Sequence, residues 1–334
     1  MRWTRGSGST ARSREATVAE ERLAPLPSGS FRAALFRAWD SDICYSFRRS
    51  PVTIAAAAAT LLIFAGAGFA PWVAPHDPFD LATVSLLDAR NPPAWLPGGS
   101  WEFPLGTDNL GRDILSTILY GSRVSLVVGF ASIILAMVLG VSLGLVSGYL
   151  GGFVDALIMR VAEVQLSFPA ILVALLVDGI MRGIVPREYQ DQLAEDVLIL
   201  SIGLSFWVQY ARTVRGSTMV EKSKEYVQAA RVIGRHPAAI MLRHVLPNVM
   251  GPVLVIATIN LALAIITEAT LSFLGVGVPP TEPSLGTLIR IGNDFLFSGE
   301  WWITIFPGAV LVLLVLSVNL LGDWLRDALN PKLR

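Results

Sequence analysis

Long runs of apolar residues alternate with polar segments along most of this chain, and six of the runs are candidate membrane-spanning helices. A helix needs ~20 mostly apolar residues to cross the hydrocarbon core of a bilayer. The six predicted spans are residues 51–73, 124–147, 156–181, 197–211, 252–274 and 302–321. The fourth is the shortest, because Gln209 and Arg212 crowd its end. The pattern predicts an all-α polytopic membrane protein with six transmembrane helices.

The positive charges between these spans indicate how the chain crosses the membrane. Lys and Arg are enriched in cytoplasmic segments, and an even number of spans leaves both termini on one side. Apart from Arg212 at the end of the fourth span, eighteen Lys and Arg residues lie before the first span, between the fourth and fifth spans and after the sixth. The opposite face holds five, apart from Arg123 at a span boundary. Both termini are therefore predicted to be cytoplasmic.

Spans and charges together divide the chain into four predicted regions. They are residues 1–50 (cytoplasmic tail), 51–123 (first transmembrane helix and extracytoplasmic loop), 124–325 (five transmembrane helices with a cytoplasmic loop at 214–250) and 326–334 (cytoplasmic tail). Residues 1–30 are rich in Arg, Ser, Gly and Pro and are predicted to be disordered. In the extracytoplasmic loop, Thr107 or Asp108 is expected to cap a separate interfacial helix near Ile114.

The composition argues against several other classes of function. Only 16% of the residues are charged, against 53% hydrophobic, and the net charge of zero argues against a general nucleic-acid binder. Cys44 is the only cysteine, which excludes an intramolecular disulfide and a cysteine metal cluster. No lysine follows a glycine, so the Gly-Lys-Ser/Thr signature of a P-loop is missing. We expect no enzyme activity from the chain alone, and no metal or cofactor bound by it.

Polar residues inside the predicted spans are costly in lipid and suggest function. The candidates for a translocation path are Asn260, Glu268, Asp178 and Asn319. Asn260 and Glu268 are eight residues apart and fall on roughly one helical face. Glu163 and Gln165 lie in the third span. For all six residues, hydrogen bonds between helices or contact with the membrane interface are the alternative explanation.

Small residues and prolines predict how the spans pack and bend. Gly140, Gly144 and Gly148 recur at four-residue spacing in the second span, which lets a neighbouring helix approach closely. That neighbour is either a helix of this chain or a helix of a second subunit. Pro169 and Pro307 are expected to kink or cap the third and sixth spans.

The polar loop at 214–250 has the pattern of a helix, a tight turn and a second short helix. Residues 215–230 are good helix formers, and Gly234 supplies the turn that follows a helix. Pro237 suits the start of the next helix, which is predicted to end at Leu246–Pro247. The loop also carries the apolar residues Val227, Val232, Ile233, Ile240 and Leu242. They predict a docking surface for a cytoplasmic partner or, alternatively, packing on the chain's own spans.

Several separate motifs resemble those of a known family. They are Gly106-Thr107-Asp108 to Gly111-Arg112-Asp113, Ser167-Phe168-Pro169, the loop around Gly234, Leu271-Ser272-Phe273-Leu274-Gly275 and Asp327-Ala328-Leu329-Asn330-Pro331. Through these motifs, residues 45–334 strongly resemble the C-type permease subunit of dipeptide/oligopeptide/nickel ABC importers. The resemblance implies a type I ABC importer permease fold in the bacterial plasma (inner) membrane.

The same resemblance implies partners and a coupling site. The partners would be a second homologous permease, two ABC ATPase subunits that bind ATP and Mg, an extracytoplasmic substrate-binding protein and membrane lipid. The loop would be the EAA loop that fits a groove in the ATPase, with Glu225, Gln228, Ala229, Ala230, Gly234, His244, Leu246 and Pro247 as its coupling residues. Gln228 departs from the family, whose usual residue there is Glu, so no salt bridge is expected at that position.

The resemblance therefore implies a permease subunit of an ATP-driven importer, forming half of a translocation path for di- and oligopeptides or similar small solutes. An ion-coupled secondary transporter, with Glu268 or Asp178 as coupling residue, is the first alternative. Such transporters show repeated, interrupted spans, and no convincing repeat is visible. A third alternative, an intramembrane enzyme, would need paired reactive residues at one depth, and the sequence does not show such a pair. The exact substrate, and whether the permease pair is homodimeric or heterodimeric, stay open.

Overall fold

The computed structural model describes residues 42–80 and 84–329. The predicted disorder of residues 1–30 and the last part of the predicted tail, 330–334, lie outside the described residues. The chain divides into two units, Met1–Pro51 and Val52–Arg334. The first contributes one described helix, α1 (Asp42–Arg49), in which Arg49 Nη1 donates to the Tyr45 hydroxyl at 3.2 Å.

Helices dominate the rest of the described chain. They are α2 (Pro51–Gly68), α3 (Ala70–Val73), α4 (Ile114–Leu150), α5 (Gly152–Leu166), α6 (Ala170–Ile184), α7 (Ala194–Glu221), α8 (Glu225–Val232), α9 (Pro237–Ile240), α10 (Leu246–Phe273), α11 (Leu285–Asn293) and α12 (Trp302–Leu329). A π-helical turn, Met241–Val245, joins α9 to α10, and 3-10 turns lie at Leu86–Asp88, Arg187–Tyr189 and Leu296–Ser298. Within the described ranges there is no strand, only one isolated bridge between Thr107 and Asp113. The all-α prediction is confirmed.

Five segments in the described part of the chain are long and apolar enough to cross a membrane. They are α2, α4, α7, the segment Pro237–Phe273 and Trp302–Ala328 of α12. A sixth span is formed if α5 and α6 are taken together, although they are bent by 99°. Pro169 lies at this bend, as predicted, because a proline disfavours helical backbone in the residue before it. Pro307, by contrast, lies inside α12, which continues past it.

The second span is longer than predicted and absorbs the expected interfacial helix. α4 begins at Ile114 and runs for 37 residues. Asp113, and neither Thr107 nor Asp108, caps it by accepting from the Ser116 amide at 2.8 Å. Ile114 is buried in a core cluster with residues of α11 and α12. Because protein covers the first turn of α4, that turn is continuous with the second span and is not a separate helix at the membrane surface.

The predicted loop helix over residues 215–230 is wrong. α7 extends to Glu221, and the chain breaks at residues 222–224 before α8 begins. The break is held by the Lys222 ammonium, which donates to the Gly148 carbonyl of α4 at 2.7 Å. Helix propensity is a local property, so it could not predict a break that depends on a contact between residues so distant in sequence.

The predicted helix end at Leu246–Pro247 is also wrong. In the π-helical turn, the Leu246 amide donates to the Met241 carbonyl, five residues earlier. Pro247 follows in the first turn of α10, where a residue without an N–H group disturbs a helix least. One helical segment therefore connects the loop directly to the fifth span, from Pro237 to Phe273.

The glycine row of α4 packs against α7 of the same chain. A Cβ atom at Gly140 would lie 2.3 Å from the Trp207 carbonyl oxygen, and one at Gly144 would lie 2.4 Å from that of Ala211. Real Cβ atoms do not approach so closely. Of the two neighbours considered for this row, the structure therefore shows a helix of this chain.

Candidate coupling and translocation sites

The turn at Gly234 closes α8 with a Schellman motif. The Arg235 amide donates to the Ala230 carbonyl at 3.1 Å, and the Gly234 amide donates to the Arg231 carbonyl at 2.9 Å. Gly234 has a φ of +79°, in the left-handed region that favours glycine. A Cβ atom there would meet no atom within 4 Å. The turn needs glycine for its backbone conformation and not for space.

α8 has one buried and one uncovered apolar surface. Val227 is fully buried and Ala230 is 7% exposed, in a core cluster that also includes Ile240 of α9. Val232 and Ile233 are 89% and 77% exposed. The packing on the chain's own helices is therefore confirmed for part of the loop, and the docking surface stays a prediction. One surface packs on the chain's own helices, and the other is free to contact a partner.

The predicted coupling residues fall on both surfaces. Glu225, Gln228, Ala229, Gly234 and Pro247 are exposed, Ala230 is buried, and His244 and Leu246 are partly buried. Gln228 Nε2 donates to the Lys222 carbonyl at 3.4 Å, across the break that precedes α8. The role of these residues in coupling stays a prediction.

Sequence reasoning missed Tyr226, which joins three elements of the loop. Its hydroxyl donates to Glu221 Oε2 at 2.6 Å, at the end of α7, and accepts from Asn248 Nδ2 of α10 at 3.2 Å. Asn248 also donates to the His244 carbonyl at 2.7 Å. Burial, and then the Glu221 carboxylate, raise the pKa of Tyr226 to about 12. The partners lie 5 and 22 residues away, so no periodic pattern singles this tyrosine out.

Further contacts tie the loop and α7 to α4 and α5. The Arg231 guanidinium carbon lies 5.0 Å from the centre of the Tyr149 ring near the end of α4. Arg215 of α7 donates from Nε and Nη2 to the Asp155 carboxylate of α5, at 2.5 and 2.7 Å. Ser147 of α4 donates to the same carboxylate at 2.5 Å. α8 is therefore linked to α4 by direct side-chain contact.

Among the candidate path residues, Glu268 is fully buried where α4, α10 and α11 meet. Its carboxylate accepts from the Ser125 hydroxyl of α4 at 2.7 Å and from the Ser272 hydroxyl at 2.8 Å. Ser125 in turn accepts from the Leu285 amide at the start of α11, at 3.3 Å. These contacts fit the alternative explanation, a hydrogen-bonded junction between helices.

The other three candidate path residues have different surroundings. Asp178, also fully buried, pairs with Arg182 at 2.7 Å, and Arg182 Nη2 donates to the Val276 carbonyl at 2.7 Å. Asn260 is 1% exposed, and Asn319 is partly exposed on α12. Within the described residues, the structure shows no hydrogen bond between any two of the four. Their place on a translocation path stays a prediction.

Two cavities that the sequence did not predict lie at the start of α7, the end opposite the loop. The larger, about 460 Å³, is lined by Asp191, Gln192, Glu195, Asp196, Val278, Pro279, Thr281 and Glu282. The second, about 370 Å³, shares Glu195 and Glu282 with it and also has Arg123 in its wall. Among the described residues, no group of three or more His, Cys, Asp or Glu could hold a metal ion.

The motif from Gly106 to Asp113 anchors the segment between α3 and α4. Arg112 Nε donates to Asp108 Oδ2 at 2.7 Å, and both side chains are buried. Arg112 Nη1 also donates to the Pro280 carbonyl at 3.1 Å. The Thr107 carbonyl accepts from the Trp302 indole at 3.2 Å. These contacts hold the segment to the regions before α11 and at the start of α12.

A family comparison covers most of these elements. The family described as binding-protein-dependent transport system inner membrane component matches residues 140–334. The chain belongs to this family. The match starts inside α4 and runs through α12, so it includes the whole predicted coupling loop. The protein is therefore a multi-pass permease of a bacterial inner membrane, as the sequence predicted.

Curated relatives match this chain over most of their length. The di/tripeptide transport system permease protein DppC of Pseudomonas aeruginosa (strain UCBPP-PA14) is 39% identical over 275 residues, which is 82% of this chain and 86% of that protein. The dipeptide permease DppC of Haemophilus influenzae is 41% identical over 265 residues, 79% of this chain and 85% of that protein. The oligopeptide permease OppC of Bacillus subtilis is 34% identical over 293 residues, 88% of this chain and 90% of that protein.

A solved structure has the same fold as this chain. A chain of the inward-facing MetNI methionine ABC transporter superposes with a TM-score of 0.50 and 19% identity. The match covers 64% of this chain and 96% of that chain. At this identity the likeness shows the fold alone, and that fold is the ABC importer permease fold expected from the sequence.

Proposed function

We propose that this chain is one of two permease subunits of an ATP-driven importer that carries di- or oligopeptides into the cytoplasm. Support comes from relatives of 34–41% identity that are named peptide permeases. The complex also contains a second homologous permease, two ABC ATPase subunits that bind ATP and Mg, and an extracytoplasmic binding protein. Both termini of this chain and its loop at 214–250 face the cytoplasm, on the more positively charged side.

The observation that carries this proposal is the uncovered apolar pair Val232 and Ile233, beside the Gly234 turn. Exposed apolar patches on an otherwise anchored element mark interaction sites. Here α8 is anchored on its other surface by Val227, and by Tyr226 and Arg231 at its sides. A groove in an ATPase subunit covers the pair in the assembled transporter.

Coupling follows from the contacts of α8. A movement of the ATPase shifts α8, and α8 pulls on α4 through the Arg231–Tyr149 contact. It pulls on α10 through the uninterrupted segment from Pro237 to Phe273. α4 and α10 meet again at the Ser125–Glu268 hydrogen bond. Rearrangement of these two helices opens and closes the path.

The proposal is tested by gentle detergent extraction of the chain from its native membrane, followed by mass spectrometry. We expect a second permease and a P-loop ATPase in the wild-type complex. Replacing Val232 and Ile233 with Ser should remove the ATPase and leave the second permease. Leu87→Ser, at a residue 95% exposed in the predicted extracytoplasmic loop, is the matched control and should retain both. A chain recovered without any ATPase, from membranes that keep other ABC complexes intact, contradicts the proposal.

A further inference from the structure

α5 runs antiparallel to α7 and is tied to it at two levels. Near its start, Asp155 accepts from Arg215 at 2.5 and 2.7 Å. Near its end, Gln165 donates to the Leu204 carbonyl at 2.6 Å and accepts from the Trp207 indole at 2.8 Å. α5 therefore lies beside the spanning part of α7 over most of its length.

Arg160 and Glu163 lie between these two ties, at membrane depth. Leu204 is at the centre of the predicted fourth span, 197–211, so its partner Gln165 lies near the bilayer midplane. Arg160 precedes Gln165 by only five residues. That is about 7.5 Å along a helix axis, while half of the hydrocarbon core measures about 15 Å. At this depth, lipid surrounds any helix surface that neither protein nor water covers.

The charged pair projects away from the chain's own helices. Ala162, on the packed face of α5, is 1% exposed and lies in a cluster with residues of α7. The Arg160 and Glu163 side chains are 78% and 65% exposed, with 3.3 Å between Nη1 and Oε2. Within the described part of the structure, neither the Arg160 nor the Glu163 side chain makes another hydrogen bond. Most of the five N–H donors of the guanidinium are therefore available to other groups.

Exposed charges at this depth must be covered by water or protein or extend to the membrane interface, because hydrocarbon strongly disfavours them. A dry protein interface needs a partner for every remaining N–H donor, whereas water supplies such partners directly. The exposed neighbours of the pair on α5 itself are apolar. Leu157, Val161 and Val164 are 55%, 53% and 56% exposed. Apolar side chains with a few charged groups are also the lining of pockets that bind small ligands.

We propose that Arg160 and Glu163 line the water-filled part of the translocation pathway and bind the charged ends of a peptide in transit. This inference rests on the proposed function, because it takes peptides as the cargo. A guanidinium binds a carboxylate through a planar fork, so Arg160 takes the α-carboxylate. Glu163 accepts hydrogen bonds from the α-ammonium group. The neighbouring apolar residues contact the peptide side chains.

The water exposure of the pair is tested by cysteine labelling, which does not depend on transport activity. Cys44→Ser removes the only cysteine of the chain. Arg160→Cys and Glu163→Cys are then made separately in that background, in the assembled complex in proteoliposomes. A charged, water-soluble thiosulfonate reagent is added to both sides. Val312→Cys on α12, at a residue 65% exposed with no charged residue beside it, is the lipid-facing control.

We expect both test cysteines to react at least tenfold faster than the control, and trialanine to slow their labelling. Labelling no faster than that of Val312→Cys overturns the proposal, because the pair then faces lipid. Labelling that appears only when the second permease is omitted also overturns it, because protein then covers the pair. Two positions are used so that a folding defect in one variant leaves the other informative.

Transport separates peptide binding from a structural role of the ion pair. Arg160→Gln should lower trialanine uptake about tenfold and leave the ATPase activity stimulated by the binding protein intact. The double swap Arg160→Glu with Glu163→Arg keeps an ion pair with its polarity reversed. We expect uptake by the swap to stay low. Recovery to the wild-type rate would show that only the pair itself matters, and would overturn the assignment.

Arg187→Gln and Glu188→Gln are the controls, because they neutralise an adjacent exposed Arg and Glu outside the predicted spans. Both should transport at the wild-type rate. If the wild-type complex itself shows no ATP-dependent peptide uptake, the proposed function fails. The labelling experiment still decides whether Arg160 and Glu163 face water.

Discussion

The guanidinium of Arg231 lies over the ring of Tyr149, with its carbon 5.0 Å from the ring centre. Tyr149 is 9% exposed near the end of α4. The carbonyl of its neighbour Gly148 accepts a hydrogen bond from the Lys222 ammonium at 2.7 Å. Two cations of the predicted coupling loop thus contact consecutive residues of one spanning helix. Any force on α8 has a short route into α4.

The Tyr149 contact gives a first prediction. A cation over an aromatic ring contributes about 0.5–1 kcal/mol at exposed sites. Tyr149→Leu should therefore weaken the link and lower ATP-dependent uptake several-fold, with less effect on ATP hydrolysis. Tyr149→Phe keeps an aromatic face and should stay close to wild type. Uptake and hydrolysis are measured together in proteoliposomes. Equal activity of the Leu and Phe variants would show that the ring does not transmit force.

Gly234→Val should uncouple the transporter. Gly234 has a φ of +79°, and a β-branched residue is strained there although its Cβ atom would have space. A strain of about 1–3 kcal/mol is enough to distort the turn that presents Val232 and Ile233. Membrane insertion should be normal, while recovery of the ATPase with the complex falls. Asn tolerates this conformation better, so Gly234→Asn is the milder control. Normal uptake by the Val variant would count against the docking function of the loop.

Gly140→Ala should destabilise the helix pair α4 and α7. Its Cβ atom would lie 2.3 Å from the Trp207 carbonyl oxygen and 2.5 Å from Tyr210 Cβ, so the two helices must separate. Overpacking of this kind costs about 1–3 kcal/mol. Gly216→Ala is the matched control, since nothing lies within 4 Å of its Cβ position. Thermal unfolding in detergent should show a lower midpoint only for the Gly140 variant. Equal midpoints would contradict the close packing described above.

Tyr226→Phe should loosen the junction of α7, α8 and α10. It removes the hydrogen bonds to Glu221 and Asn248 and keeps the ring. On a partly exposed side chain this should cost about 1 kcal/mol. The pKa of Tyr226 is raised from 10.0 to about 12, so the fold favours the neutral phenol. Its contribution should be complete below pH 10 and disappear as the pH rises through about 12. A stability difference between wild type and Tyr226→Phe that changes between pH 6 and 9 would contradict this.

Five spans, and a sixth if α5 and α6 are taken together, could be predicted from the sequence because apolar length is a local property. The predicted bend at Pro169 was also correct, since proline acts on its own neighbours. The limits of α4 and α7 could not be predicted in the same way. Ile114 begins α4 because α11 and α12 bury it, and Lys222 helps to end α7 by reaching Gly148. Both effects arise from tertiary contacts.

The candidate sites show the same difference between local effects, which the sequence predicts, and tertiary contacts, which it does not. The Gly234 turn was predicted correctly because left-handed backbone is a local requirement. Glu268 was predicted from its cost in lipid, but one of its two hydrogen bonds comes from Ser125, which lies 143 residues earlier. Tyr226 and the cavity lined by Glu195 and Glu282 were missed, because their parts come from separate elements. Polarity at membrane depth indicates that a residue has a structural or functional role, but only its contact partners show which role.

The most direct measurement is peptide uptake into proteoliposomes that contain this chain with its co-isolated permease and ATPase subunits. Uptake of radiolabelled trialanine is followed with the binding protein outside, and with either ATP and Mg or ADP and Mg inside. We expect uptake only with ATP, unchanged by ionophores that collapse proton and sodium gradients. Uptake that persists with ADP and stops with an ionophore would show an ion-coupled transporter and contradict the importer function proposed for this chain.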